Sequence, residues 1–229
     1  MATEEGKTHE LYLKRYELEP FHRRFWRVLS EWRLDANPAS AEGYNIEIAR
    51  DARIPTMEVV AWDWASRSFT AGRSYIIVTA VPGEAISRCG KDFLARHAGE
   101  NAGKRLATKL GDLAARMHKA GLVHRDFYST HIFLDDRGDD FDLYLIDLAR
   151  MFRPRWRKFR WRVKDLAQLK FSMPREWVDG HWETFLGEYL AKMGIDAGLE
   201  DRYRRAIDSK AAWMLRRRQR TAARREAAR

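Results

Sequence analysis

His124-Arg125-Asp126, a polar residue at His131 five places after that aspartate, and a second aspartate, Asp147, behind an apolar run form one constellation. Its chemistry is phosphoryl transfer. An attacking hydroxyl needs a carboxylate within hydrogen-bond reach, and Asp126 offers one. A nucleoside triphosphate travels with Mg²⁺, a hard ion that takes oxygen ligands, and Asp147 offers those. The two aspartates stand twenty-one positions apart. Between them Ile132-Phe133-Leu134 reads as a strand, 135–140 as a turn and 141–146 as a second strand. Such a hairpin holds both carboxylates at one end of a cleft. His-Arg-Asp alone is a weak signal, and an aspartate often just ends a strand; order and spacing give the set its weight. The aspartates at 135, 136, 139, 140 and 142 lack the Asp-x-Asp-x-Asp-Gly pattern and closing glutamate of a calcium loop, so they read as a solvated turn.

The elements around this loop follow from periodicity. His9 to Leu18 alternates as a strand, with Leu11, Leu13 and Arg15 opposite Tyr12, Lys14 and Tyr16. A lone strand lysine is commonly a solvated edge residue, but beside the downstream loop Lys14 suits the phosphates of ATP as a cationic point charge. Ser40 is the expected N-cap of a helix running to about Asp51. That puts Glu42 in its first turn, ranked ahead of Glu47 as the partner of Lys14. Pro20 to Trp32 reads as a short amphipathic helix. Met57–Ala65 and Ser74–Val81 read as strands joined by a turn over 66–73, the second ending at a Pro82-Gly83 crossover. Backbone groups at such a crossover commonly read adenine, which makes Thr79, Ala80 and Val81 main-chain candidates.

Further on, Leu106, Leu110, Leu113 and Met117 form one helical stripe closed by Gly121. His118 beside it reads as a surface or capping histidine. Asp165 is expected near a helix N-terminus, 177–193 forms a core helix, and 209–229 is an Arg-rich, helix-forming tail that reads equally as an amphipathic or frayed segment on anionic lipid and as a solvated one.

The chain has 229 residues and a formal charge of +10, which favours an acidic partner: nucleic acid, an anionic membrane or a phosphorylated substrate. Eight of the fifteen residues 150–164 are cationic, interleaved with Phe152, Trp156, Phe159 and Trp161. That mixture suits phosphate plus a sugar face, or a lipid headgroup layer. The single cysteine, Cys89, excludes an internal disulfide framework and a cysteine zinc site, and reads as a half-buried hydrophobe. No signal-peptide pattern opens the sequence, and no apolar run approaches the roughly 18 residues of a spanning helix.

The run His124-Arg-Asp-Phe-Tyr-x-x-His131-Ile-Phe-Leu, then Leu-Ile-Asp147-Leu-x-Arg150, then Arg160-Trp-Arg-Val-Lys164-Asp165-Leu-Ala-x-Leu-x-Phe-Ser172 resembles the lipopolysaccharide kinase family. Members of that family phosphorylate heptose or Kdo sugars of the lipopolysaccharide inner core. Specificity lies in His131, where protein kinases carry Asn, and in the Lys-Asp-Leu-Ala-x-Leu-x-Phe-Ser signature. The resemblance covers roughly Leu11 to Ser172 and fades beyond.

It implies an α+β, two-lobed protein-kinase-like fold, with a small β-rich lobe over 1–82 and a larger helical lobe over 83–229. It implies ATP and Mg²⁺ as cofactors and a catalytic loop at 124–131, with His124, Arg125, Asp126 and His131 as its working residues. By position, Lys14 and Glu42 would hold ATP, with Thr79 and Val81 at the adenine. Asp126 would be the base, Asp147 would bind Mg²⁺ with His131 beside it, and Asp165 would brace the loop. His131 has a second reading, orienting Asp126 or phosphate, because imidazole is a poor Mg²⁺ ligand. Only thirteen residues precede Lys14, so the strand and turn that family members place ahead of the lysine strand are expected to be short or missing, with 4–7 as a remnant. The expected substrate is a glycolipid, the lipopolysaccharide core, met at the cytoplasmic face of the inner membrane through 150–164 and 209–229; nucleic acid ranks behind it. The rival readings are a protein or tRNA-modification kinase and a degenerate kinase-like binding module.

Overall fold

β-Branched and aromatic residues crowd 74–79, and this stretch is the central strand of the smaller lobe. The structure is a computed structural model that describes residues 2–4, 7–17, 38–62, 73–98 and 101–227. The expected helix over Pro20–Trp32 and most of the expected 66–73 turn lie outside them. Strands β1 (Ala2–Glu4) and β2 (Lys7–His9) pair antiparallel, Ala2 opposite His9 and Glu4 opposite Lys7. One residue later comes β3 (Leu11–Tyr16), which joins β4 (Val59–Trp62) and β5 (Ser74–Thr79) in an antiparallel sheet of order β3-β5-β4. Lys14 stands opposite Ile76.

Helix α1 (Pro38–Asp51) lies against this sheet through Ala39, Ala41, Ile46 and Ala49. It starts two residues before the expected cap. Pro38 presets the helical φ of a first turn, so Ser40 is inside the helix rather than capping it, and Glu42 falls in the second turn. The strand alternation also resolves differently from a simple apolar face. Leu13 is 49% exposed, while Lys14 and Tyr16 turn inward. Their polar ends have a buried carboxylate to meet there, and an outward leucine is the consequence.

The chain crosses at Pro82-Gly83 into β6 (Glu84–Ala85), α2 (Ile86–Arg96) and α3 (Ala102–Lys119). A second antiparallel sheet, β6-β7-β8, is completed by β7 (Ile132–Asp136) and β8 (Phe141–Leu145). Helices α4 (Lys158–Ser172), α5 (Arg175–Met193) and α6 (Ala197–Glu226) finish the larger lobe. The stripe Leu106, Leu110, Leu113, Met117 is buried, and Trp177, Phe185, Leu186 and Leu190 of α5 are buried with it. Each such side chain contributes about 1.5–3 kcal/mol of transfer free energy.

Two expectations need correction. His118 is buried, 1% exposed, not a surface or capping residue. A second stripe on α3, Ala107, Gly111, Ala114 and His118, is equally buried. Its small residues let α5 approach closely, and the histidine at its end is enclosed. Asp165 is not near a helix start: α4 begins at Lys158, so half of the basic-aromatic segment is helix and Asp165 lies two turns in. The Arg-rich tail is the end of a 30-residue helix that buries only Tyr203 and Ile207.

Gly83 carries φ +81°, and a Cβ there would collide with the main-chain carbonyl of Leu134. Both a left-handed conformation and a backbone clash oppose any side chain. Gly83→Ala is expected to destabilise the protein by about 2–3 kcal/mol, read as a lowered thermal midpoint; an unchanged midpoint would contradict the crossover geometry.

Candidate active site

The 124–131 loop is held from below by one face of α4. Asp165 Oδ2 accepts the His124 N–H at 2.7 Å, and Oδ1 accepts the Arg125 N–H at 2.9 Å. Gln168 accepts the Phe127 N–H at 3.2 Å and donates to the Arg125 carbonyl at 2.7 Å. Ser172 Oγ accepts the Ser129 N–H at 2.8 Å, and the Ser129 hydroxyl returns a bond to the Ser172 carbonyl at 2.7 Å. Lys164 adds an ammonium on the Arg125 carbonyl. Positions 165, 168 and 172 repeat at helical spacing and so share a face. Arg125 sits at φ 72°, uncommon for a residue with a side chain, and these bonds hold it there. Its guanidinium lies over Phe152 and Trp161, 5.3 and 5.6 Å from the ring centroids.

His124 is buried, and its Nε2 donates to the Ile146 carbonyl at 3.0 Å. Ile146 N–H in turn donates to the His131 carbonyl at 3.0 Å. The loop and the strand end carrying Asp147 are therefore clamped together. His131 spans the two aspartates. Its Nδ1 lies 2.7 Å from the Asp126 carbonyl, which can only accept, so Nδ1 carries a proton. In the neutral ring Nε2 is then a lone pair, and it faces Asp147 Oδ2 at 3.7 Å. A lone pair and a carboxylate repel unless a proton or a cation lies between them. Among the described residues no group of three or more His, Cys, Asp and Glu gathers as a metal cage. Mg²⁺ is a hard ion that keeps several waters and takes carboxylate and phosphate oxygens. The residues present fit that ion, with Asp147 as carboxylate ligand and His131 facing it.

The smaller lobe supplies the opposite wall. Lys14 Nζ is 2.6 Å from Oε1 of Glu42, whose side chain is fully buried, and 4.0 Å from Asp147 Oδ1. Tyr16 donates its hydroxyl to the other Glu42 oxygen, and burial together with that carboxylate pushes the phenol well above its ordinary value. Glu47 is exposed and takes no part. Asn45, on the same helix, donates to the carbonyls of Leu148 and Met151 at 2.7 and 2.8 Å. Arg150 closes the arrangement, its Nη1 2.7 Å from Asp126 Oδ2.

Thr79 and Val81 stand apart from this cluster, at the end of β5 and the start of the crossover. The Thr79 N–H is committed to the Glu58 carbonyl at 2.9 Å and the Ala80 N–H to the Glu10 carbonyl at 2.8 Å. A base at the crossover is therefore left with carbonyl acceptors at those two positions. Sequence reasoning missed Gln168, Ser172, Asn45 and Tyr16 as site-supporting residues. The 3-and-4 spacing of polar residues on α4 was the available signal for the first two.

The sequence model of the lipopolysaccharide kinase (Kdo/WaaP) family matches residues 1–189. The chain belongs to this family. The lipopolysaccharide core heptose(I) kinase WaaP of Pseudomonas aeruginosa is 30% identical over 139 residues, which cover 58% of this chain and 52% of that protein. The corresponding Escherichia coli kinase is 28% identical over 103 residues, 43% of this chain and 32% of that protein. The chain thus spans about half the length of the first of these curated relatives and a third of the second. A solved structure of WaaP in complex with acyl carrier protein is similar at a TM-score of 0.56 and 27% identity, covering 75% of this chain and 76% of that one. The fold is the two-lobed, α+β kinase-like fold, with a small sheet-based lobe and a larger helical one. In this member of the lipopolysaccharide kinases the Lys164-to-Ser172 signature is the face of α4 that carries the loop.

Below Asp165 a buried relay continues to α5: His118 Nε2 lies 3.4 Å from Asp165 Oδ2, and Nδ1 lies 2.9 Å from the Tyr189 hydroxyl. Burial holds the pKa of both His118 and His124 below the ordinary 6.5. The unfolded chain takes up protons near that value while the folded chain resists them, so acidification favours unfolding. Calorimetry is expected to show the thermal midpoint falling between about pH 7 and about pH 5, with a shallower slope in His118→Gln; equal slopes would remove His118 from this linkage.

Proposed function

We propose that the chain transfers the γ-phosphoryl group of ATP to a hydroxyl of a lipopolysaccharide inner-core sugar, a heptose or Kdo. The observation that carries this reading is His131 bonded to Asp126 at one nitrogen and facing Asp147 with the other, opposite the Lys14–Glu42 pair. Asp126 accepts the proton of the acceptor hydroxyl, whose oxygen bonds to the γ-phosphorus as the bond to the β–γ bridging oxygen breaks and ADP departs. Lys14, held by Glu42, neutralises the phosphates. Thr79 and Val81 border the adenine through main-chain groups. Asp147 would hold Mg²⁺ as its carboxylate ligand with His131 beside it, and the bound ion would supply neutralisation of the charge on the phosphate oxygens. His124 and Asp165 fix the loop; Arg125 links it to Phe152 and Trp161.

The smaller lobe, 1–82, serves the nucleotide and the larger, 83–229, the acceptor. Among the described residues no helix is long and apolar enough to cross a membrane. The basic-aromatic 150–164 segment and the Arg-rich end of α6 support a peripheral position on the anionic cytoplasmic face of the inner membrane. Trp156 at 78% exposure is suited to a headgroup layer.

Asp126→Ala is expected to lower ATP-dependent phosphate transfer to a core-sugar acceptor by at least about 10²-fold. Its thermal midpoint should hold, because among the described residues the Asp126 carboxylate pairs with a half-exposed Arg150, a pair worth about 0–1 kcal/mol. Unchanged turnover would refute the role, and labelling of protein or RNA in preference to glycolipid would move the substrate class.

A further inference from the structure

Helix α6 lies beyond the stretch that the family matches, and its charges are unevenly used. Toward its start three of them are paired. Arg204 pairs with Glu183 and, at 3.9 Å, with Glu200, while Asp208 takes Lys170 of α4 at 2.6 Å. Past Ser209 the helix carries Lys210, Arg217 and Arg218, and none of these makes an ion pair among the described residues. Aromatic rings sit beneath them instead. Lys210 Nζ is 3.9 Å and Arg217 5.4 Å from the centroid of Trp213, and Arg218 is 5.9 Å from that of Phe171 on α4.

Between α4 and α6 open two adjoining clefts of about 560 and 710 Å³. Lys164, Lys210 and Trp213 line both, and neither has an acidic side chain in its wall. The first reaches Tyr128 and the second Arg125, the residues two after and one before Asp126. Burial, then the like charges of Arg160 and Arg217, lower the pKa of Lys210, the mark of cations crowded without a counter-charge. An anion entering the groove would relieve that repulsion and meet charge-assisted donors. Trp213, 44% exposed, presents a flat apolar surface at the groove's centre.

We propose that the α4–α6 groove is the acceptor subsite and binds an anionic saccharide, with its carboxylate or phosphate groups on Lys164, Lys210 and Arg217 and a sugar ring on Trp213. The assignment deepens the phosphoryl-transfer reading and rests on it. It places the negative charge of the acceptor beside the proton-accepting carboxylate, and makes α6 the element that selects charged over neutral sugars.

The test uses the full chain and the double variant Lys210→Glu/Arg217→Glu, whose changes lie on a helix face without ion pairs to lose. Calorimetric titration with a lipid-free core oligosaccharide carrying Kdo carboxylates, and with a neutral oligosaccharide of equal length, is expected to show binding of the first only, weakened at least about tenfold in the variant. In turnover the acceptor KM should rise about tenfold while the ATP KM stays within about twofold. Lys210→Gln/Arg217→Gln should fall between. Unchanged saccharide binding in the charge-reversed variant would overturn the proposal. So would a loss confined to phosphatidylglycerol vesicles, which would make the groove a lipid surface. Absence of phosphate transfer by the unaltered chain would sink the parent reading alone, since the titration decides the groove without ATP.

Discussion

A single buried carboxylate, Asp165, receives two consecutive backbone N–H groups of the 124–131 loop and the ring of His118. The rest of the site depends on that reception. Burying a charge is costly unless several donors compensate it, and here they come from the segment that has to be immobilised. Arg125 stays in a left-handed conformation because its N–H and its carbonyl are both engaged by α4. That backbone turn delivers Asp126 to the cleft. A loop free of α4 would relax toward commoner conformations and carry the carboxylate away.

The opposite wall is built on the same principle, with different partners. Glu42 is fully buried, and it is occupied by Lys14 on one oxygen and Tyr16 on the other. The ammonium is thus aimed at the space in front of Asp147, 4.0 Å away. Cation, carboxylates and imidazole alternate across the cleft, an arrangement suited to a polyanion accompanied by a hard metal ion. Arg150 on Asp126 extends the alternation by one more pair.

Much of this was legible in the sequence, and the illegible parts share a cause. The hairpin between the aspartates reads directly, because alternation and a polar turn are local properties; the structure places strands at Ile132–Asp136 and Phe141–Leu145. The stripe on α3 reads directly too, being made of large apolar residues. What escaped was the neighbouring stripe of Ala107, Gly111 and Ala114, whose significance lies in the closeness of α5, and with it the burial of His118. Asp165 was recognised from its motif but set at a helix start, because the cationic run ahead of it resembles a surface loop more than two helical turns. Tyr16 and Asn45 carry no local signal at all. Their roles arise only when strand, helix and the segment after Asp147 converge, and the contacts of Asn45 span more than a hundred residues of chain.

That asparagine has a mechanical consequence. Its amide rivets α1 to the carbonyls of Leu148 and Met151, at a buried spot where water cannot substitute. Stranding those acceptors would cost about 1–3 kcal/mol each. Any breathing of the lobes about Pro82-Gly83 therefore carries residues 148–151 along with the helix that bears Glu42. The flexing would then be absorbed elsewhere, in the linkages on either side of that passenger segment, giving the cleft two places to bend instead of one.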